Sequence, residues 1–398
     1  MTLIFERDLG DGVPVTHAFV VGVGAYPDAK PGKGVNKDLR AVPDVASAAD
    51  SAKRMCDWLI ENKDKLGAPL ATLEVLIGDA AHPAGATPYA WANAPAAAVQ
   101  PPTVENVKAR GKAWVGRLKA RPGDTALFYG CGHGARWGAD PVLFLQDLNT
   151  NEDDPWGGFF NVGETASAFK QLDEIRSAFF FLDACQEFSP KLELSKTSWF
   201  ARIIKAQDPF LPSREKVFML SATAAGMKTY DGVSDDVPGV RLGRFTQTLC
   251  TALDGAAVRY ERGQWIVHPG PLYQDIKLLY GTYDWGDGDD PLPFDPTQTA
   301  LPNEVHAIVR PDAPEVPVRV FTDPADKIAG FDLRIFANPN RGDPCVRSRE
   351  ARAATAWIAW VPASKYPHFA VADDGNGVFH QEMFNPDCPI FDQRIPIP

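Results

Sequence analysis

The chain has 398 residues, 45% of them hydrophobic and 23% charged, with a net charge of −11. Such a chain suits a globular protein with two domains, or one large domain and an appendage. The acidic surplus argues against nucleic acid as a partner, because neutralising phosphates takes an excess of Lys and Arg. Six cysteines in a chain this long do not make a disulfide framework. Cys56, Cys131, Cys185 and Cys250 lie in apolar or helical stretches and read as reduced thiols, whereas Cys345 and Cys388 could pair. The opening residues, MTLIFERDLGDG, are acidic where a secretory leader would be basic and then apolar. No apolar run reaches the roughly 20 residues that cross a bilayer, so the expectation is a soluble, cytoplasmic protein with no membrane partner.

Taken in chain order, residues 17–23 (HAFVVGV) form a buried strand closed by Gly24. From Asp44 to Lys65, apolar residues such as Val45, Ala48, Ala52, Met55, Leu59 and Ile60 recur at helical spacing. Leu73–Ile77 reads as a strand, and the Ala/Pro-rich stretch 80–102 as an exposed insertion. Thr103 is a predicted N-cap for a helix running to about Ala120. TALFY (125–129), AFFFL (178–182) and VFMLS (217–221) are short and apolar throughout, with further helices at about 164–174 and 244–254. Strands apolar on both faces, alternating with helices, predict an α/β fold with a mainly parallel sheet flanked by helices. From about residue 285 the character changes: WGDGDDPLPFDP reads as a linker. Alternating runs follow at 305–308, 316–321, 331–336, 356–361 and 377–379, which predict a small β-rich C-terminal module. The expected domains are therefore 1–285 and 286–398.

Ligand sites in such sheets lie at the carboxyl ends of the strands. TALFY runs into Gly130-Cys131-Gly132-His133-Gly134, and AFFFL into Asp183-Ala184-Cys185-Gln186. Glycines around His133 allow a tight turn that leaves its imidazole at the strand tip. A thiol becomes an effective nucleophile when a nearby imidazole takes its proton. The amides of Gly134 and Cys185 can then supply an oxyanion hole. Each residue alone reads more simply as structural, His133 as part of a Gly-rich turn and Cys185 as a small buried hydrophobe. It is the pairing at two strand ends that points to catalysis. No P-loop, dinucleotide-binding glycine motif or paired CxxC occurs, and the other histidines show no metal-ligand spacing.

FYGCGHGA resembles the caspase and metacaspase signature in which a strand ends in a Gly-His-Gly turn, and FFFLDACQE resembles the metacaspase strand that carries the nucleophile. HAFVVGVGAY is similar to that family's first strand, VFMLSATAAGMKTYDG to the strand after the nucleophile, and GRFTQTLCTALDG to the closing helix. The resemblance covers about residues 15–260 and implies a cysteine endopeptidase. In it Cys185 is the nucleophile and His133 the acid/base, hydrolysis passes through a thioester acyl-enzyme, and no cofactor is required.

Metacaspases resemble this chain in the acidic residue two positions before the nucleophile, here Asp183, and in an acidic residue at the start of the first helix, best matched by Asp44. Carboxylates in a closed pocket select Lys or Arg. Caspases, which cut after Asp, keep an Arg where this chain has Asp231; Arg40 is the one residue pointing the other way. The implied S1 pocket is therefore Asp44, Cys131, Asp183 and Asp231, with Cys131 departing from the small polar residue usual in metacaspases. Asp147, Glu152, Asp153 and Asp154 crowd one loop, and some metacaspases are calcium-activated, so Asp147, Asp153 and Asp154 are weak calcium candidates. The segment 188–216, with Lys191, Lys196, Lys205 and Arg214, is where related enzymes can cut themselves. The expected partners are a protein or peptide substrate and a regulatory protein bound through the C-terminal module. The rival expectation is a catalytically idle protein of the same fold that serves as a binding or scaffold module.

Overall fold

The computed structural model describes residues 2–39, 41–83, 85–89, 97–188, 201–204, 215–234, 239–283, 292–299, 306–340, 344–349 and 352–398. Arg40, Lys191, Lys196, Lys205 and Arg214 lie outside the described residues. Contacts group the chain into two units, Met1–Cys250 with Trp285–His306, and Thr251–Asp284 with Ala307–Pro398.

The first unit is built on a seven-stranded sheet. Its strands are β1 (Leu3–Glu6), β2 (Thr16–Val23), β3 (Leu70–Gly78), β4 (Thr125–Gly132), β8 (Ser177–Ala184), β10 (Val217–Ser221) and β11 (Thr297–Gln298), in the order β1-β3-β2-β4-β8-β10-β11. The five central strands are parallel and the two edge strands antiparallel. Every residue of β2, β3 and β10 is buried, as their largely apolar sequences require of strands covered on both faces. A second sheet contains β5 (Gly134–Trp137), β6 (Asp140–Phe144), β7 (Phe159–Asn161) and β9 (Glu187–Phe188), in the order β9-β5-β6-β7.

Among the described residues four helices accompany the large sheet: α1 (Ala46–Glu61), α2 (Val104–Ala120), α3 (Val162–Phe169) and α4 (Arg244–Thr251). The Thr103 side chain caps α2, accepting from the Asn106 N–H at 3.3 Å, as its sequence position predicts. On one face of the sheet, Trp114 of α2 packs against Phe19, Phe128, Phe169 and Phe180, with ring centroids 5.0–6.5 Å apart. Its indole N–H donates to the His17 carbonyl at 2.8 Å. Truncating so large a buried ring leaves a cavity and an orphaned carbonyl, so Trp114→Ala is expected to cost about 3–5 kcal/mol, read as a lowered urea midpoint. On the opposite face, α1 approaches β2 so closely that a Cβ at Gly22 would sit 2.4 Å from the Cβ of Ala52. Alternation along each strand therefore sends Phe128 and Phe180 toward α2 and α3, and Cys131 and Asp183 toward α1 and α4.

Among the described residues the two larger sheets of the second unit have three and four strands. One orders Trp357–Pro362, Glu315–Asp323 and Ile390–Pro396; the other orders Arg347–Ser348, Asp332–Phe336, His368–Asp373 and Phe379–Phe384. Val316, Val318 and Val320 are buried along one strand, as the alternating pattern predicts. The unit also takes in the hairpin 259–266 and a helix at Pro269–Tyr280. The units thus divide the chain differently from a single boundary at 285/286. Residues 251–284 group with the C-terminal sheets because Val267 exchanges backbone hydrogen bonds with Ile308 and Val309, each at 3.0 Å. All six cysteines are free, so Cys345 and Cys388 do not pair. Among the described residues no helix is long and apolar enough to cross a membrane.

Candidate active site

The chain visits β2, then β3 on one side of it, then β4 on the other, so the strand order reverses between β2 and β4. Beside that reversal, β4 and β8 run parallel, with Cys131 opposite Asp183 and Gly132 opposite Ala184. His133 and Cys185 are the next residue on each strand, and both lie on the face turned toward α1. A cavity of about 240 Å³ opens there, lined by Cys131, His133, Asp183, Cys185 and Asp231, with Val45, Ser47 and Ser51 from the start of α1.

Gly132 turns the chain from β4 toward β5 at φ +144°, and a Cβ on it would meet the Tyr26 hydroxyl and the Val23 carbonyl, each at 2.9 Å. Only glycine fits that corner. Gly134 is equally constrained: a Cβ there would lie 2.8 Å from the carbonyl oxygen of Cys185. The glycines thus bring the two strand ends together, and the imidazole emerges between them.

His133 is held at three points. Its backbone N–H donates to the Tyr26 hydroxyl at 2.9 Å, its ring lies 5.2 Å from the Tyr26 ring, and its Nε2 is 3.0 Å from the Pro43 carbonyl oxygen. A carbonyl can only accept, so Nε2 carries a proton and Nδ1 of the neutral ring keeps its lone pair. Burial pulls the imidazole below its ordinary range, opposed by the Pro43 bond and by the charges of Asp44 and Glu187.

Cys185 is partly buried, and burial pushes its thiol up. The Thr229 N–H, 3.4 Å from Sγ, pulls the other way. A raised thiol beside a lowered imidazole leaves both neutral near pH 7, so proton transfer has to accompany attack. Among the described residues no hydrogen bond joins His133 to Cys185. Gln186 fixes the neighbouring backbone: its amide donates to the Thr223 carbonyl at 2.6 Å and its side-chain oxygen accepts from Arg136 at 2.9 Å.

The expected S1 residues divide. Asp183 is buried at the cavity and its pKa is pushed up to about 6, burial outweighing the hydrogen bonds that oppose it. Its carboxylate accepts from the Thr246 hydroxyl at 2.6 Å, the Thr246 N–H at 3.2 Å and the Thr229 hydroxyl at 3.1 Å. Asp231 also lines the cavity and pairs with Arg241 at 2.6 Å. Cys131 lies in the wall, its thiol donating to the Ala48 carbonyl at 2.9 Å and raised by burial. Asp44 is not among the lining residues. Its carboxylate accepts the Tyr26 N–H at 2.8 Å and pairs with Lys30.

Gly243 closes the floor, where a Cβ would fall 2.0 Å from Asp183 Oδ2. Gly243→Ala is therefore expected to displace that carboxylate. A crystal structure of that variant should show the 2.6 Å hydrogen bond from the Thr246 hydroxyl to Asp183 lengthened or lost.

One carboxylate of the acidic loop has a structural partner. Asp147 accepts the Val104 N–H at the start of α2, at 3.0 and 3.2 Å. Asp153 donates its own N–H to the Asn151 side chain at 3.0 Å, and burial raises Asp154. Among the described residues no three His, Cys, Asp or Glu side chains gather as a metal site.

No protein-family model matches the chain. An uncharacterized protein of Sinorhizobium fredii, y4kE, is 30% identical over 154 residues, which are 39% of this chain and 42% of that protein. The match therefore spans less than half the relative's length. Among solved structures, the crystal structure of caspase-1 from Spodoptera frugiperda aligns over 78% of this chain and 98% of its own, at 11% identity and a TM-score of 0.44. So loose a likeness carries no argument about activity.

Sequence reasoning missed Pro43, Tyr26, Thr229, Thr246 and Gly243. Tyr26 and Pro43 lie in a loop distant in sequence from His133, and no local pattern links them to it. Thr246 had a usable signal, since the opening turn of a predicted helix carries free N–H groups suited to a carboxylate.

Proposed function

We propose that the protein is a cysteine endopeptidase of the caspase and metacaspase kind that cuts after Arg or Lys. What supports this most is that His133 and Cys185 extend two adjacent parallel strands into one cavity, with the His133 Nε2 proton committed to Pro43. In this reading the Cys185 thiol gives its proton to His133 Nδ1 as Sγ attacks the substrate carbonyl. The Gly134 and Cys185 amides serve the oxyanion. The imidazolium then protonates the departing amine, leaving a thioester, and water deprotonated by His133 releases the acid. A Lys or Arg side chain enters toward Asp183, a buried carboxylate with three hydrogen-bond donors and, among the described residues, no cation as hydrogen-bond partner. Asp231 stands at the same cavity.

The test is cleavage of a peptide library by full-length protein, with and without calcium. Cutting after Arg or Lys supports the reading; cutting after Asp keeps the dyad and overturns the pocket. The second reading, an idle protein of this fold, is favoured by the raised thiol and the missing His133–Cys185 hydrogen bond. No turnover on any peptide, with or without calcium, would favour it. The search would then turn to a protein partner of the C-terminal β-rich part.

A further inference from the structure

The sequence suggests Asp44 as a wall of the substrate pocket, but its carboxylate is committed elsewhere. Oδ1 accepts the Tyr26 N–H at 2.8 Å and Oδ2 pairs with Lys30. The Lys30 loop is itself anchored: the Val42 N–H donates to the Ala29 carbonyl at 3.2 Å, and the buried Asn149 side chain donates to the Asp28 carbonyl at 2.9 Å. The peptide carbonyl immediately before Asp44 is that of Pro43, which receives His133 Nε2 at 3.0 Å. Tyr26, whose N–H Asp44 holds, places its hydroxyl on the His133 backbone.

We propose that Asp44, clamped between the Tyr26 N–H and the Lys30 ammonium, is a positioning residue for His133 rather than a substrate-pocket residue. Its side chain is fixed at two points, and the Pro43 carbonyl belongs to the planar peptide that leads into Asp44. The Pro43 carbonyl therefore has little freedom to leave Nε2. That bond sets which nitrogen of the imidazole is the base, and a displacement of about 1 Å in such a group can cost a hundredfold in rate. The charge of Asp44 also bears on the imidazole: Asp44 and Glu187 both favour its protonated form, while Tyr26 against its ring stays neutral. The inference rests on His133 being the acid/base.

The experiment compares Asp44→Asn and Lys30→Met with wild type in the full chain, using Arg and Lys peptides and NMR titration of the His133 ring. Asn keeps an acceptor for the Tyr26 N–H but loses the charge. The expected result for Asp44→Asn is kcat lowered about tenfold, KM and the preference for Arg or Lys within about twofold, and a lowered His133 midpoint. Lys30→Met, which frees the carboxylate without removing its charge, lowers kcat without lowering the midpoint. A rise in KM for basic peptides at unchanged kcat overturns the inference and restores Asp44 to the pocket; so does a His133 midpoint that Asp44→Asn leaves unmoved. The NMR arm needs no turnover. If the wild type cleaves nothing while Asp44→Asn still lowers the His133 midpoint, the peptidase reading falls and only the hold of Asp44 on the imidazole stands.

Discussion

Cys185→Ala is expected to lower cleavage of basic peptides by about 10⁴-fold or more, because it removes the proposed nucleophile. Loss on that scale is not a packing effect. Cys185 follows a strand paired on both sides in register, and among the described residues its thiol hydrogen-bonds only with the Thr229 backbone. Exchanging a partly buried thiol for a methyl group should leave the urea midpoint close to wild type. Activity and stability measured on the same samples therefore separate the roles. Near-complete loss of cleavage with an unchanged midpoint is the expected outcome. Retained cleavage would place the nucleophile elsewhere.

Asp183→Asn is expected to move activity and stability in opposite directions. A buried carboxylate held above its ordinary range is destabilising at neutral pH. Its pKa goes from 3.8 to about 6 on folding, so between those values the native state holds more protons than the unfolded one. The penalty is absent below about pH 4, grows as pH rises through 6, and is complete above it. At pH 8 it is on the order of 3 kcal/mol. Asparagine removes the charge and can still accept from Thr246 and donate to the Thr229 hydroxyl, so the variant should unfold later than wild type at pH 8, with the gain vanishing near pH 4. Selection for Arg and Lys should fall about 100-fold in kcat/KM, since the pocket loses its buried counter-charge. A variant no more stable at pH 8, or one still as selective for basic peptides, would contradict the role given to Asp183. Retaining a costly carboxylate at a functional site is the usual compromise between stability and activity.

The parts of this molecule that could be read in one dimension are those set by local physics. HAFVVGV, TALFY, AFFFL and VFMLS are strands because a sheet covered on both faces admits uniformly apolar runs, and each forms where its sequence places it. Thr103 caps its helix for an equally local reason. The juxtaposition of His133 with Cys185 followed from strand ends in a parallel sheet. The helix Pro269–Tyr280 was legible and missed: proline opens it, and Leu272, Ile276 and Leu279 recur at helical spacing. The hairpin 134–144 likewise carries a turn signal at Gly138, φ +59°.

The partners of Asp44 were not legible in the same way. A carboxylate at the start of a helix serves substrate or backbone according to which groups the folded loop brings to it. Tyr26 and Lys30 reach Asp44 across 18 and 14 residues, a meeting set by the return of the loop to β2. The same holds for Asp147, whose carboxylate closes a helix start 43 residues away.

The most direct test of the central claim is to treat the full-length protein with a peptidyl-arginine acyloxymethyl ketone and map the adduct by mass spectrometry. The thiolate attacks the methylene carbon and expels the carboxylate, leaving a stable thioether. A single adduct on Cys185, greatly slowed in His133→Ala, is the expected result. Labelling of a different residue, no labelling at all, or labelling of Cys185 at the same rate without His133 would contradict the dyad.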